Sequence, residues 1–362
     1  MLHLHKPRIE EENGFIYFIS DYSGFDEGEL WLRTDAQTAE HFDESVSDAF
    51  ILPALLMAME NGTDLRIDND ISDLLYFNTN THIQEILSIH SETFSKIQIL
   101  PSGTKENKKH PSGVATGLSC GVDSFGAIYT HLISSPPSST KLTHLTQYNH
   151  AQQRDYGGRW IQNVERFKNV ASQLELPLIT IGTNFSARIM APHTMRHTYL
   201  NCSAAIAMDG LISKYYYAST FNYSDINVTN TSDIAHADPI VLPLLSTDNI
   251  RFFSTGSEIP RTKKTEHITS MPLTREFLEV CPKHPADQLN CSCCYKCLRT
   301  MLTLDLLGHL DHYMGVFDVP RFRAKRQNYS RAVLKQEDNP YMTEIKSMTG
   351  AMDKLRSWSG KT

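Results

Sequence analysis

The sequence contains no uninterrupted run of about 18 apolar residues, and its first stretch, MLHLHKPRIEEENG, has no apolar segment of the signal-peptide kind. The first absence excludes a conventional membrane-spanning helix, and together they make a cytoplasmic location the default expectation. Cationic excess is lacking as well: 34 Lys+Arg stand against 41 Asp+Glu, a net charge of −7. That balance argues against a nucleic-acid partner, whose phosphates would demand a basic surface. Neither G-x-x-x-x-G-K-[ST] nor G-x-G-x-x-G occurs, so the common P-loop and the dinucleotide fingerprint are both excluded. Cysteine is scarce over most of the chain. Five of the seven fall between Cys281 and Cys297, too clustered for a disulfide framework. Internal repeats and low-complexity tracts are absent.

What is present suffices for a large core, since 40% of the 362 residues are hydrophobic, and the length suggests two to three domains. We place boundaries after residues 108 and 318. Residues 1–108 read as a smaller α+β domain, with FIYFIS and ELWLRT as strands, DAFILPALLMAMENG and HIQEILSIH as helices, and KIQIL as a closing strand. The stretch PSGTKENKKHPSG, Pro101 to Gly113, reads as a linker or long exposed loop. Residues 109–318 change pattern: VATGLS, KLTHLTQYN, LITIGTN and KYYYAST read as strands separated by helical segments. This alternation predicts an α/β fold, an open parallel sheet with helices on both faces, whose ligands bind at the carboxyl ends of the strands. Residues 319–362 form a basic tail with ten Lys+Arg against four Asp+Glu. Tyr341, Ile345, Met348, Met352, Leu355 and Trp358 fall at helical spacing there, predicting one amphipathic helix docked on the body or on a second subunit in a homodimer.

The candidate functional loop is S-C-G-V-D-S, Ser119 to Ser124, placed where the first parallel strand turns into a helix. Such a turn offers backbone N–H groups and the positive end of a helix dipole to phosphate. Gly121 is expected to let the backbone turn and approach closely, and Cys120 and Val122 to contribute their main chain. Ser119 and Ser124 add hydroxyl donors, while Asp123 is suited to capping the helix or holding magnesium. The alternative is that the stretch is only a helix N-terminus.

The second constellation is C-P-K-H-P-A-D-Q-L-N-C-S-C-C-Y-K-C. Cys291, Cys294 and Cys297 form C-x-x-C-x-x-C with Cys281 upstream, so these four are the expected ligands of a tetrahedral zinc; a set using Cys293 is the alternative. A redox thiol cluster or iron–sulfur centre competes with zinc. Four thiolates close the coordination shell, so the expected role is structural, tying this segment to the core.

The loop resembles the S-G-G-x-D-S signature of the PP-loop ATP pyrophosphatases, with Cys120 at the first glycine. Combined with the four cysteines downstream, the region from Val114 to Leu310 resembles the 7-cyano-7-deazaguanine synthase family. QYNHAQQRDYGGRWIQNVERFKNVASQL is similar to that family's tyrosine-glutamine-arginine segment, and RTKKTEHI to its lysine-x-glutamate stretch, which aligns Lys264. The resemblance implies an adenine-nucleotide alpha-hydrolase-like PP-loop fold, ATP, Mg2+ and Zn2+ as cofactors, and catalytic roles for Asp123 and Lys264. It also implies adenylation of a nucleobase carboxylate such as 7-carboxy-7-deazaguanine, with amide or nitrile formation as a C–N ligase. Relatives with extra domains occur in anti-phage defence operons of the CBASS type, implying conjugation to a protein acceptor. Arg261 is a further phosphate-binding candidate, Asn222 and Asp225 are candidates for a substrate loop, and His193, His197 and His236 for pocket lining. Two rival readings remain: a tRNA- or small-molecule-modifying PP-loop enzyme, and a catalytically degenerate nucleotide-binding subunit. Residue 2 is Leu, so an N-terminal-cysteine glutamine amidotransferase is not expected unless the amine comes free or from a partner.

Overall fold

The computed structural model describes residues 1–150, 158–281, 288–337 and 339–360, without the side chains of 158–162. Part of the tyrosine-glutamine-arginine segment, 151–157, lies outside the described residues. Eleven strands follow in chain order: β1 (Leu2–Leu4), β2 (Arg8–Glu12), β3 (Phe15–Ser23), β4 (Gly28–Thr34), β5 (Leu65–Ser72), β6 (Ile99–Lys105), β7 (Gly113–Gly117), β8 (His144–Asn149), β9 (Leu178–Thr183), β10 (Ile212–Ala218) and β11 (Arg251–Thr255). They form a single mixed sheet in the order β11-β10-β7-β8-β9-β4-β3-β1-β5-β6, with β2 added against β3.

The α/β class is as expected, but the sheet is mixed rather than all parallel. β7 to β11 run parallel to one another, as do β1, β5 and β6, while β3 pairs antiparallel with β1, β2 and β4. Across the position-108 boundary, β4 pairs antiparallel with β9 through Leu32↔Thr183 and Arg33↔Gly182, so the strands before residue 108 and those after it belong to one continuous sheet. The proposed linker is partly strand. Pro101 to Lys105 belong to β6, an edge strand whose alternating burial accommodates polar residues and a proline that the sequence pattern marks as loop.

Side chains alternate between two apolar layers on opposite sides of the sheet. Ala115, Ile179 and Tyr215 join one core with the helices Asp48–Glu60 and His197–Ile206. Their neighbours Val114, Leu178 and Tyr216 join the other, with the helices Val122–Ile128, Arg261–Ile268 and Tyr295–Leu306. This is the period-two alternation of a sheet covered on both faces. The tail lies on the second side as Val319–Lys335, Pro340–Ser347 and Ala351–Ser359, burying Phe322, Met342, Ile345 and Leu355. The single amphipathic helix expected for the tail is two, broken before Gly350, which adopts a left-handed φ of 71°.

Within β7 to β11 the chain starts in the middle at β7, moves outward through β8 and β9, and returns to the other side of β7 for β10 and β11. Strand order therefore reverses at the β7/β10 boundary, where the carboxyl ends open a crevice. The S-C-G-V-D-S loop leaves β7 at that crevice.

Candidate functional site at the strand-order reversal

The loop is built by local hydrogen bonds. Leu118 N donates to Thr146 O on β8 at 2.7 Å, and Ser124 Oγ donates to Gly117 O at 2.8 Å while accepting from Ser119 N at 3.1 Å. Ser124 therefore ties the loop shut, whereas Ser119 is exposed at the crevice. Cys120, not Gly121, takes the left-handed turn: its φ is 59° against −81° for Gly121. The expectation that Gly121 supplies the turn is thereby corrected. The Cys120 thiol packs into the core beside Val122 and Phe125, and burial pushes its pKa up to about 12. Its carbonyl accepts from Glu279 N at 2.8 Å. Gly121 occupies the N-cap position, so Asp123 lies within the first turn and does not cap it.

Asp123 instead meets cations from another element. Its Oδ2 is ion-paired with Arg261, and its Oδ1 lies 3.5 Å from Lys264 Nζ without a hydrogen bond. Burial opposes ionisation of this carboxyl, but the Arg261 and Lys264 charges prevail and hold it below the usual carboxylate range. Lys264 is 2% exposed and donates to Ser219 O at 2.7 Å; burial lowers its pKa, and Asp123 opposes that. Gly256, at φ 92°, makes room for it, since a Cβ there would stand 2.9 Å from Lys264 Cε.

Two further cations enter from the helix Tyr295–Leu306. Lys296 and Arg299 both have lowered pKa values, through burial first and then through repulsion by Arg261. Arg299 is 6% exposed, its Nε makes no hydrogen bond, and its guanidinium lies 3.7 Å from the centroid of the Tyr341 ring in the tail. Glu344, also from the tail, accepts from Asn222 Nδ2 at 2.6 Å and from Arg261 N at 2.9 Å; burial raises its pKa. Arg261 and Lys264 thus meet Asp123 and Glu344, with Arg299 buried nearby and Lys296 exposed beside them. Sequence reasoning missed Lys296, Arg299 and Glu344. Lys296 and Arg299 lie two and five residues after Cys294, in a stretch read only for its cysteines, and Glu344 belongs to a tail read only as a docking helix.

The four expected cysteines converge. Sγ separations are 3.7 Å for Cys281–Cys294, 3.5 Å for Cys294–Cys297 and 3.9 Å for Cys291–Cys297, close to the ~3.8 Å edge of a tetrahedron with metal–sulfur bonds of about 2.3 Å. These four could hold a metal ion. Cys293 is exposed, with its Sγ 3.6 Å from that of Cys291. Cys294 caps the helix that carries Lys296 and Arg299, so the cysteine knuckle sets where those cations stand.

The remaining candidates are divided. Asn222 joins the site through Glu344, and His236 stacks on Phe221 at 3.7 Å, which in turn faces Tyr341 at 6.2 Å. His193 and His197 form a separate group near the end of β10, where His197 Nδ1 lies 3.0 Å from Tyr217 Oη and its Nε2 lies 3.6 Å from Asp233. The Asp225 carbonyl accepts from His236 Nδ1 at 2.9 Å.

No family model matches the sequence, and no curated protein or solved structure matches it either. Among the described residues, no helix is long and apolar enough to cross a membrane.

Proposed function

We propose that the chain is an ATP-dependent adenylating enzyme that activates a nucleobase carboxylate, 7-carboxy-7-deazaguanine or a close relative, and releases pyrophosphate. The observation that carries this reading is the convergence of Arg261, Lys264 and the buried Arg299 on the neighbourhood of Asp123 and Glu344, with the exposed Lys296 beside them, next to the S-C-G-V-D-S loop. A buried excess of positive charge is costly unless an anion completes it, and a triphosphate is such an anion.

A carboxylate is a poor electrophile, and transfer of AMP gives it a leaving group. The loop amides and the cations would stabilise charge developing on the departing pyrophosphate. Lys264, which donates to Ser219 O and lies beside Asp123, would do so without the disorder of a surface lysine. The buried Asp123 Oδ1, which makes no hydrogen bond, is a suitable oxygen donor for a magnesium ion held mainly by phosphates. Zinc suits the four-cysteine cluster, where its role would be to fix the helix bearing Arg299. Attack by ammonia would expel AMP and give an amide, which activation by a second ATP would dehydrate to a nitrile; attack by a protein amine would expel AMP and give a conjugate, the outcome suited to a role in anti-phage defence.

The test is ATP/pyrophosphate exchange with candidate carboxylates, on wild type and Asp123→Ala. Carboxylate-dependent exchange that the substitution abolishes supports the reading. ATP binding without exchange would instead identify a nucleotide-binding subunit.

A further inference from the structure

A second cluster of metal-ligating side chains lies far along the sheet from the cysteines. β1 sits between β3 and β5, with His3 opposite Ser23 on one side and Arg66 on the other. Leu2 and Leu4 point into the core, so His3 and His5 share the opposite face. Asp68 of β5 reaches the same face. His3 Nε2 lies 2.7 Å and His5 Nδ1 3.2 Å from a single oxygen, Asp68 Oδ2.

We propose that His3, His5 and Asp68 form a binding site for a divalent transition-metal cation such as Zn2+, distinct from the cysteine cluster and independent of the adenylation reading. Three observations support it. The three donor atoms lie within 4.8 Å of one another. His3 Nε2 is buried, and its ion-pair partner is the same Asp68 Oδ2 that faces His5, so both imidazoles converge on one carboxylate oxygen. The surrounding contacts orient the donors: Ser23 Oγ lies 3.0 Å from His5 Nε2, leaving Nδ1 for the metal, and Arg66 Nε stands 3.5 Å from Asp68 Oδ1, leaving Oδ2. Outer partners of this kind fix ring orientation in metal sites.

Two imidazoles and a carboxylate suit zinc, cobalt, nickel or copper rather than magnesium or calcium, which prefer oxygen. Donors around tetrahedral zinc stand about 3.3 Å apart, given bonds of about 2.0 Å. The His5–Asp68 distance already meets this, and the His3–Asp68 distance must open by about half an ångström, within reach of side-chain rotation. The side chains are 31–39% exposed, so water can complete the coordination. Because His3 lies in β1, His5 directly follows it and Asp68 lies in the neighbouring β5, a bound ion would join the β1 segment to β5.

The test uses untagged full-length protein, stripped of metal and dialysed to equilibrium against Zn2+, with bound zinc counted by elemental analysis. Wild type should carry one equivalent more than His5→Ala and Asp68→Asn, and Cys294→Ser should retain that equivalent. Thermal melts check that both variants remain folded, as expected for substitutions on a solvent-facing side of the sheet. Equal zinc content in wild type, His5→Ala and Asp68→Asn would overturn the site.

Discussion

Cys120 holds a left-handed backbone where glycine is the unstrained choice, yet its side chain fills part of the core. The strain is about 1–2 kcal/mol for a non-glycine residue, and the buried thiol returns a packing contribution of similar size. Cys120→Gly should therefore shift the unfolding free energy by no more than about 1 kcal/mol in chemical denaturation, and leave ATP binding intact. Cys120→Val, β-branched at the same φ, should cost clearly more. Gly256 tests the neighbouring cation. In Gly256→Ala the added methyl meets Lys264 Cε at a φ few side chains adopt, so Lys264 must move. The expected result is an ATP Kd weakened by about tenfold, roughly 1.4 kcal/mol, in a protein that still unfolds cooperatively.

The helices decide which side chains meet. Pro340–Ser347 brings Glu344 to the start of Arg261–Ile268, where it accepts from Arg261 N. Glu344→Gln keeps an acceptor there and removes a negative charge from a cluster built around cations. ATP should then bind several-fold more tightly in calorimetric titration, whereas a weakened affinity would show that the carboxylate itself is needed.

At this scale the sequence was legible where periodicity and motif coincided. The strand–loop–helix unit at Gly113–Ile128 and the four cysteines were both readable. β11 was not: RFFST is short and lies on an edge, with Phe252 buried and Phe253 exposed. Arg299 was hidden for another reason. Its role depends on a helix packing against a segment distant in sequence, and an arginine on a helix ordinarily reads as a solvated charge. The pairing of β4 with β9 was equally beyond periodicity, which reports faces but not partners.

For the molecule as a whole, two buried carboxyls give a pH signature. Burial raises Asp48 to about 7 against the opposing hydrogen bonds from Ser72, and raises Asp238 to about 7 against the influence of His197 and Thr198. In the unfolded chain both titrate near ~3.9. For these two groups the native state holds protons that the unfolded state releases, so their contribution to stability falls as pH rises from about 4 through 7, while His150, pushed down by burial to about 4, contributes in the opposite sense up to about 6.5. In urea melts, Asp48→Asn and Asp238→Asn should each gain stability relative to wild type on going from pH 5 to pH 8, and an unchanged pH dependence would contradict the assignment.

The central claim is that the crevice at the strand-order reversal is a triphosphate site. Its most direct test is equilibrium binding of Mg-ATP to wild type and to Lys264→Met, with pyrophosphate as competitor. The account predicts saturable binding by wild type, displaced by pyrophosphate and weakened at least about tenfold in the variant, roughly 1.4 kcal/mol. No binding by wild type, or the same affinity in a folded Lys264→Met protein, would contradict it.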